Sequence, residues 1–398
     1  MPRILRIFNR MIIGGPALNV SLLTKYLPSE YETTLVVGSP DAHEQKADYL
    51  LERLGLEKII IPEMGREISM VDDLIAYRKI KSLIKQLKPD IVHTHTSKPG
   101  AIGRWAAATC NVPVIVHTFH GHVFHSYFSP LKTKMYIEIE RKLAQKSSKL
   151  IAISEGQKRD LTEVYKIAPE EKVAVINLGL DLDPFKENMD QKRKQFRCQF
   201  GLEEDVIAIG IIGRLAPIKN HQLFLNAIKE LTTSSHKKIK GFIVGDGECR
   251  GQLEDYCRSI GLGFSSAEHP DLSQPIIFTS WRTDIDVVNA GLDIITLTSF
   301  NEGTPVSIIE AQASSKPIVS TYCGSIADIV LENETALLSP IQQPEQFICN
   351  LKKVAEHDDL RRSMSARGAN FAFSKFGYHR LVHETDTLYQ QLLAQAGR

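Results

Sequence analysis

Ile211-Ile212-Gly213-Arg214-Leu215-Ala216-Pro217-Ile218-Lys219-Asn220 is the stretch on which the fold turns. The β-branched run 207–212 reads as a buried strand that ends at Gly213, and a longer helix-period segment follows. A strand feeding a turn and then an amphipathic stretch is one βαβ unit of a parallel sheet. The same alternation extends in both directions. Before this stretch, strands are predicted at 4–8, 34–37, 59–61, 91–95, 114–118, 150–153 and 173–176; after it, at 241–244, 276–279, 294–297, 318–320 and 336–338. Helical patterns at 18–27 and 71–87 lie among the first set, and a last one at 377–393 closes the chain. The class is α/β.

A chain of 398 residues exceeds what one hydrophobic core usually serves, so two domains with a cleft between them are expected. The break is placed in 181–201, where Asp183-Pro184 and the cationic Lys192-Arg193-Lys194 interrupt the alternation. That division gives an N-terminal Rossmann-like domain (1–183), a second one (184–376) and a terminal helix (377–398).

The 43% hydrophobic and 24% charged fractions are those of an ordinary globular protein, and a net charge of +1 excludes a strongly basic nucleic-acid binder. The balance is uneven: residues 1–183 carry +4 and the remainder −3, so the first half is expected to face something anionic, unless the difference is scatter. Six cysteines without a C-x-x-C pair argue against zinc and against a disulfide scaffold, and fit a reducing cytoplasm. Arginines interrupt the first ten residues, unlike a secretory signal, and no run approaches the roughly 20 apolar residues of a spanning helix. Membrane association, on this reading, is peripheral.

Three motifs carry chemistry. Gly14-Gly15-Pro16 lies between the first strand and a helix, where backbone amides can hold an anion; a plain tight turn reads equally well. Arg214 and Lys219, at the carboxyl end of a buried strand, stand where open α/β sheets bind ligands. A diphosphate would satisfy both, although surface charges often have no partner. In Ser299-Phe300-Asn301-Glu302-Gly303-Thr304-Pro305-Val306-Ser307-Ile308-Ile309-Glu310, Pro305 is expected to open a helix capped by Thr304, with its free amides available to phosphate oxygens. Glu302 and Glu310 would then touch different parts of one elongated ligand; capping or surface roles are the alternative.

Gly213-Arg214 with Lys219, then Glu302-Gly303-x-Pro305 with Glu310 closing a Glu-x7-Glu pattern, resembles the glycosyltransferase family 4 enzymes. The likeness runs through nearly the whole chain, including Asp90-Ile-Val-His-Thr-His-Thr, Leu150-Ile-Ala-Ile-Ser-Glu, Asn177-Leu-Gly-Leu-Asp-Leu-Asp-Pro-Phe and Val244-Gly-Asp-Gly-Glu. The resemblance implies the GT-B architecture, two facing Rossmann-like domains with the donor nucleotide bound by the second, and a retaining, metal-independent sugar transfer needing no cofactor. It implies that Arg214 and Lys219 grip the donor diphosphate, that Glu310 holds the ribose and that Glu302 orients the sugar. Gly303, Thr304, Pro305 and Val306 would line the donor site, and Gly15 would bring its amide to the phosphates. His120, in Thr118-Phe119-His120-Gly121, looks like the family histidine beside the reacting sugar.

Two positions depart from the family's pattern. Asn19 stands where many relatives have a histidine on the acceptor side, and Asn220 stands where a glycine usually follows the donor lysine. Three motifs are weighed and set aside: Asp181-x-Asp183 and histidines 93, 95, 117, 120, 122 and 125 as metal sites, and Gly245–Gly251 as a dinucleotide fingerprint. Phe119, Phe124, Tyr127 and Phe128 beside Lys132, Lys134, Arg141, Lys142, Lys146 and Lys149 suit an anionic bilayer and a lipid-linked glycan acceptor; a core-facing helix carrying Ile137, Ile139 and Leu143 is the alternative. The function expected is sugar transfer in surface polysaccharide or glycoconjugate synthesis, at the inner face of the membrane. A sugar-nucleotide epimerase and a non-catalytic nucleotide-sugar binder are the competing readings.

Overall fold

The computed structural model describes all residues except 13, 42, 43, 45, 66–68, 122–129, 267–270, 272 and 398. Two compact units emerge: Met1–Asp181 with Phe376–Arg398, and Leu182–Lys375. Unit 1 holds β1 (Arg3–Arg10), β2 (Glu32–Gly38), β3 (Ile59–Ile60), β4 (Ile91–His95), β5 (Val114–Phe119), β6 (Lys149–Ala152) and β7 (Val173–Val175). They form one parallel sheet in the order β3-β2-β1-β4-β5-β6-β7. Unit 2 repeats the arrangement with β8 (Val206–Ile212), β9 (Lys238–Val244), β10 (Phe264–Ser266), β11 (Ile276–Ser280), β12 (Ile294–Leu297), β13 (Ile318–Thr321) and β14 (Ala336–Ser339), ordered β10-β11-β9-β8-β12-β13-β14.

Central strands with helices on both faces must be apolar all round, and every residue of β12 is buried. In unit 2, Ile207, Ile209 and Ile211 pack with Phe224, Ile228 and Leu231 of the helix His221–Ser234 and with Phe347 and Leu351 of Pro344–Glu356. That spacing of three and four residues turns one helix face onto the sheet. Each sheet reverses its winding once, between β1 and β4 in unit 1 and between β8 and β12 in unit 2. Loops leaving the carboxyl ends of those neighbours part to opposite sides, which opens a crevice at each switch point.

The terminal helix Tyr378–Gln395 belongs to unit 1 although 194 residues of unit 2 precede it. Leu381, Leu388, Tyr389, Leu392 and Leu393 pack with Ile4, Ile91, Val114 and Ile151. Each such side chain buried contributes on the order of 1.5–3 kcal/mol, so the helix completes the core rather than trailing from it. The chain returns through paired backbone bonds, Leu180 N–H to Phe376 O (2.8 Å) and Tyr378 N–H to Leu180 O (3.0 Å).

Two sequence expectations need adjustment. The interval 181–201 is largely a helix, Met189–Gln199, which buries only Phe196 and Arg197; Arg193 and Arg197 bind Asp293, so its cations serve unit 2 as anchors. β10 was not anticipated, because Phe-Ser-Ser at a sheet edge carries no apolar alternation.

Candidate functional site

The crevice of unit 2 is built from the turns that leave β8, β9, β12 and β13. Gly245 has φ +136°, and a Cβ there would lie 2.1 Å from Gly213 O, so only glycine lets the β8 and β9 turns touch. The β8 turn carries Arg214 and then a single 3-10 turn, Pro217–Lys219. Lys219 folds back over Gly213, and its Nζ lies 2.6 Å from Glu302 Oε1 in the loop after β12. Ser299 Oγ donates to the same oxygen at 2.6 Å, and Thr298 Oγ1 donates to Lys219 O at 2.9 Å, so both loops are tied together. From the β13 side, Gly324 (φ +50°) presses against Glu302; a Cβ there would stand 1.8 Å from Glu302 O. Arg214 is more exposed, with Nε 3.1 Å from Glu248 Oε2.

The helix Val306–Ala313 starts beside this cluster. Burial and, secondarily, the negative charge of Asp286 push the Glu310 carboxyl up to about 8. A carboxyl largely protonated at neutral pH can both donate to and accept from neighbouring hydroxyls.

In unit 1 the corresponding crevice gathers imidazoles at the ends of β4 and β5. His95 Nδ1 lies 3.0 Å from His120 Nε2, and the His93 and His95 rings pack at a tilt of 32° with centroids 4.1 Å apart. Burial holds His93, His95 and His117 well below the usual imidazole range and brings His120 down to about 3, so all four are neutral at physiological pH. Among the described residues no three His, Cys, Asp or Glu side chains gather as a metal-ligand group.

Residues 13–184 match the description Glycosyltransferase Family 4, and residues 207–357 match Glycosyl transferases group 1. The chain belongs to glycosyltransferase family 4. The UDP-Gal:alpha-D-GlcNAc-diphosphoundecaprenol alpha-1,3-galactosyltransferase of Escherichia coli is 29% identical over 345 residues, covering 86% of this chain and 85% of that protein. A D-inositol 3-phosphate glycosyltransferase of a Nocardioides species is 24% identical, covering 77% and 68%. The crystal structure of Anabaena HepE in complex with UDP superposes with a TM-score of 0.80 at 18% identity, covering 98% of this chain and all of that one (100%). These likenesses show the GT-B fold.

In this glycosyltransferase, Lys219, Glu302 and Gly303 come together at the unit 2 switch point with Arg214 on the adjoining turn. Gly303 is open: a methyl group on its Cα would meet nothing within 4 Å. One expectation is corrected. Pro305 (ψ 100°) is still extended, the helix begins at Val306, and no side chain caps it, so Thr304 is not the cap. The extended ψ delays the first helical peptide by one residue.

Asn220 has φ +49°, a left-handed conformation that asparagine tolerates better than most residues, which explains how it replaces a glycine. Gly15 opens the helix Gly15–Tyr26 after β1, and Asn19 is buried on it, 2% exposed. Sequence reasoning missed the ion pairs themselves: Lys219 lies against Glu302 and Arg214 against Glu248. It also missed the contact between His95 and His120, for which His-x-His on one strand face was the available signal. His122 and His125 lie outside the described residues.

Proposed function

We propose that this glycosyltransferase moves a sugar from a uridine diphosphate donor to a polyprenyl-diphosphate-linked acceptor, with retention of configuration and without a metal cofactor. The observation that carries the reading is the convergence of Arg214, Lys219 and Glu302 at the β8/β12 switch point, where two cations and an oriented carboxylate can serve a diphosphate and its sugar. Lys219 and Arg214 offset the charge that grows on the departing phosphate, in the place a divalent ion would otherwise take. The open backbone at Gly303 and the amides of Thr304 and Val306 receive phosphate oxygens, while Pro305, which has no N–H, shapes the turn between them. Glu310 holds the ribose hydroxyls and Glu302 a sugar hydroxyl. As the bond from the anomeric carbon to phosphate breaks, the acceptor oxygen bonds to the same face and its proton passes to the leaving phosphate oxygen. His120 borders the sugar, with Asn19 on the acceptor side.

The uridine donor and lipid-linked acceptor are supported by the names of the Escherichia coli relative and of the HepE complex. Family membership disfavours the epimerase reading, which rested on fold alone.

Surface chemistry supports a peripheral place at the membrane. No helix among the described residues is long and apolar enough to cross one. The helix Pro130–Lys146 exposes Leu131 (79%), Met135 (52%) and Ile139 (40%) at four-residue spacing, beside exposed Lys132, Lys134, Lys142 and Lys146. Trp105 adds an exposed indole under Lys146 Nζ, 5.2 Å from its ring centroid. An apolar stripe bordered by lysines matches an anionic interface. Leu143 and Ile137 do face the core, as the alternative required, but Ile139 does not. Phe119 is corrected: it is 5% exposed and packs inside unit 1 with Leu150 and Leu161, because β5 is sandwiched between helices. Phe124, Tyr127 and Phe128 lie outside the described residues.

Incubating the enzyme with labelled UDP-sugars and N-acetylglucosaminyl-diphosphoundecaprenol, with and without EDTA, tests the reading. Expected is a chelator-insensitive, α-linked product. Isomerised donor, or donor binding without transfer to any lipid-linked sugar, would overturn it.

A further inference from the structure

A buried chain of polar side chains runs from the first strand of unit 1 to His120. Arg6 is fully buried; it donates from one NH2 group to Thr24 Oγ1 (2.8 Å) and from the other to the Tyr389 hydroxyl (3.3 Å). A guanidinium can only donate, so the Tyr389 oxygen accepts from Arg6, and the arrangement that also uses the Tyr389 proton sends it to His93 Nδ1 at 2.5 Å. His93 therefore carries its proton on Nε2 and gives it to Thr118 Oγ1 at 2.8 Å. The His95 ring packs on this imidazole at a tilt of 32°, and the Phe8 ring stands perpendicular to it with centroids 6.5 Å apart, so its orientation is set from two sides.

His95 and His120, both neutral, share one hydrogen bond between His95 Nδ1 and His120 Nε2. Their outer nitrogens, His95 Nε2 and His120 Nδ1, are shielded from water and have no hydrogen-bond partner among the described residues. Two arrangements are open. If His120 were the donor, His95 Nε2 would hold a buried N–H with nothing to receive it. If His95 is the donor, its Nε2 is a bare lone pair and the unmatched N–H sits on His120 Nδ1. Each arrangement leaves one buried N–H unmatched, and only the second places that N–H on the residue read as bordering the substrate, where a sugar oxygen can receive it.

We propose that His95 is a positioning residue for sugar transfer: its Nδ1–H holds His120 Nε2, fixes that ring as the Nδ1–H tautomer and leaves this N–H to a sugar oxygen. The proposal rests on the reading of His120 as the residue beside the reacting sugar. Removing the partner that orients a metal-bound histidine costs roughly 10–100-fold, and a loss of the same order is expected for this metal-free pair.

Nitrogen-15 NMR of the histidine-labelled enzyme, assigned with His120→Asn, tests the tautomer directly. Expected is a protonated Nδ1 and a bare Nε2 on His120, unchanged between pH 6 and 8. A protonated Nε2, or averaging of the two, overturns the proposal. Kinetics supply the second arm. His95→Phe keeps the ring stack and is expected to lower kcat roughly 10–100-fold with the donor KM changed less than about twofold. His95→Asn, whose amide N–H reaches the Nδ1 position, is expected to recover most of that loss. Equal kcat in the two variants, or wild-type kcat in His95→Phe while His120→Ala is impaired, overturns the positioning role. Wild-type turnover in His120→Ala would instead overturn the reading of His120.

Discussion

Lys219 Nζ lies 2.6 Å from Glu302 Oε1, and the same oxygen accepts from Ser299 Oγ at 2.6 Å. The ammonium and the carboxylate come from loops after two adjacent strands, so the contact exists only because β8 and β12 are neighbours. With side-chain exposures of 24% and 11%, the pair is more shielded than Arg214 and Glu248, at 65% and 49%. The two cations read as gripping the donor therefore differ in what their loss does to the fold.

Arg214→Ala and Lys219→Ala are each expected to raise the barrier to transfer by about 2.7–4 kcal/mol, the range for losing one preorganised electrostatic contact. Arg214→Ala leaves the melting temperature unchanged, since its partner is solvated. Lys219→Ala lowers it, because Glu302 loses its counter-charge in a shielded place. Steady-state rates with a melting curve for each variant check both halves.

Glu310 and Glu302 separate by ligand. Calorimetry with UDP alone is expected to show lost affinity for Glu310→Gln and near-normal affinity for Glu302→Gln, while transfer falls in both. Equal loss of UDP affinity would refute the division of roles.

The raised Glu310 carboxyl also makes stability depend on pH. Between its ordinary value near 4.5 and about 8 the folded state holds a proton that the unfolded chain has released. Its contribution to stability is complete below that window and is lost as pH rises through about 8. Melting temperatures of the wild type and Glu310→Gln are expected to diverge from pH 5 to 9, with the variant showing the flatter profile.

Gly324→Ala and Gly303→Ala make a contrasting pair. A methyl at Gly324 meets Glu302 O at 1.8 Å from a left-handed backbone, so the β13 loop or Glu302 must move, and activity falls even where the protein folds. A methyl at Gly303 meets nothing within 4 Å, so stability is retained; loss of UDP affinity there would report close approach of the ligand.

At the membrane surface, Lys132→Glu with Lys134→Glu is expected to abolish salt-sensitive sedimentation with anionic vesicles, and Leu131→Ser with Met135→Ser to weaken it at every salt concentration. Full recovery of the wild type in the supernatant throughout would favour a soluble acceptor.

What the sequence determined by itself is what local pattern carries: thirteen of the fourteen strands found among the described residues, the two series of βαβ units, and the order of Gly15, Arg214, Lys219, Glu302 and Glu310 along the chain. Buried parallel strands announce themselves as apolar runs, and a strand-to-helix turn marks where ligands can bind. Only the tertiary structure decided which turns meet. Nothing local in Lys219 says that it neutralises Glu302, 83 residues away, or that His93 is fixed by Tyr389, 296 residues away on a helix that returns to unit 1. Those contacts follow from strand order and chain return, long-range choices made by burying apolar faces together, and periodicity in one segment cannot encode which distant segment will cover it.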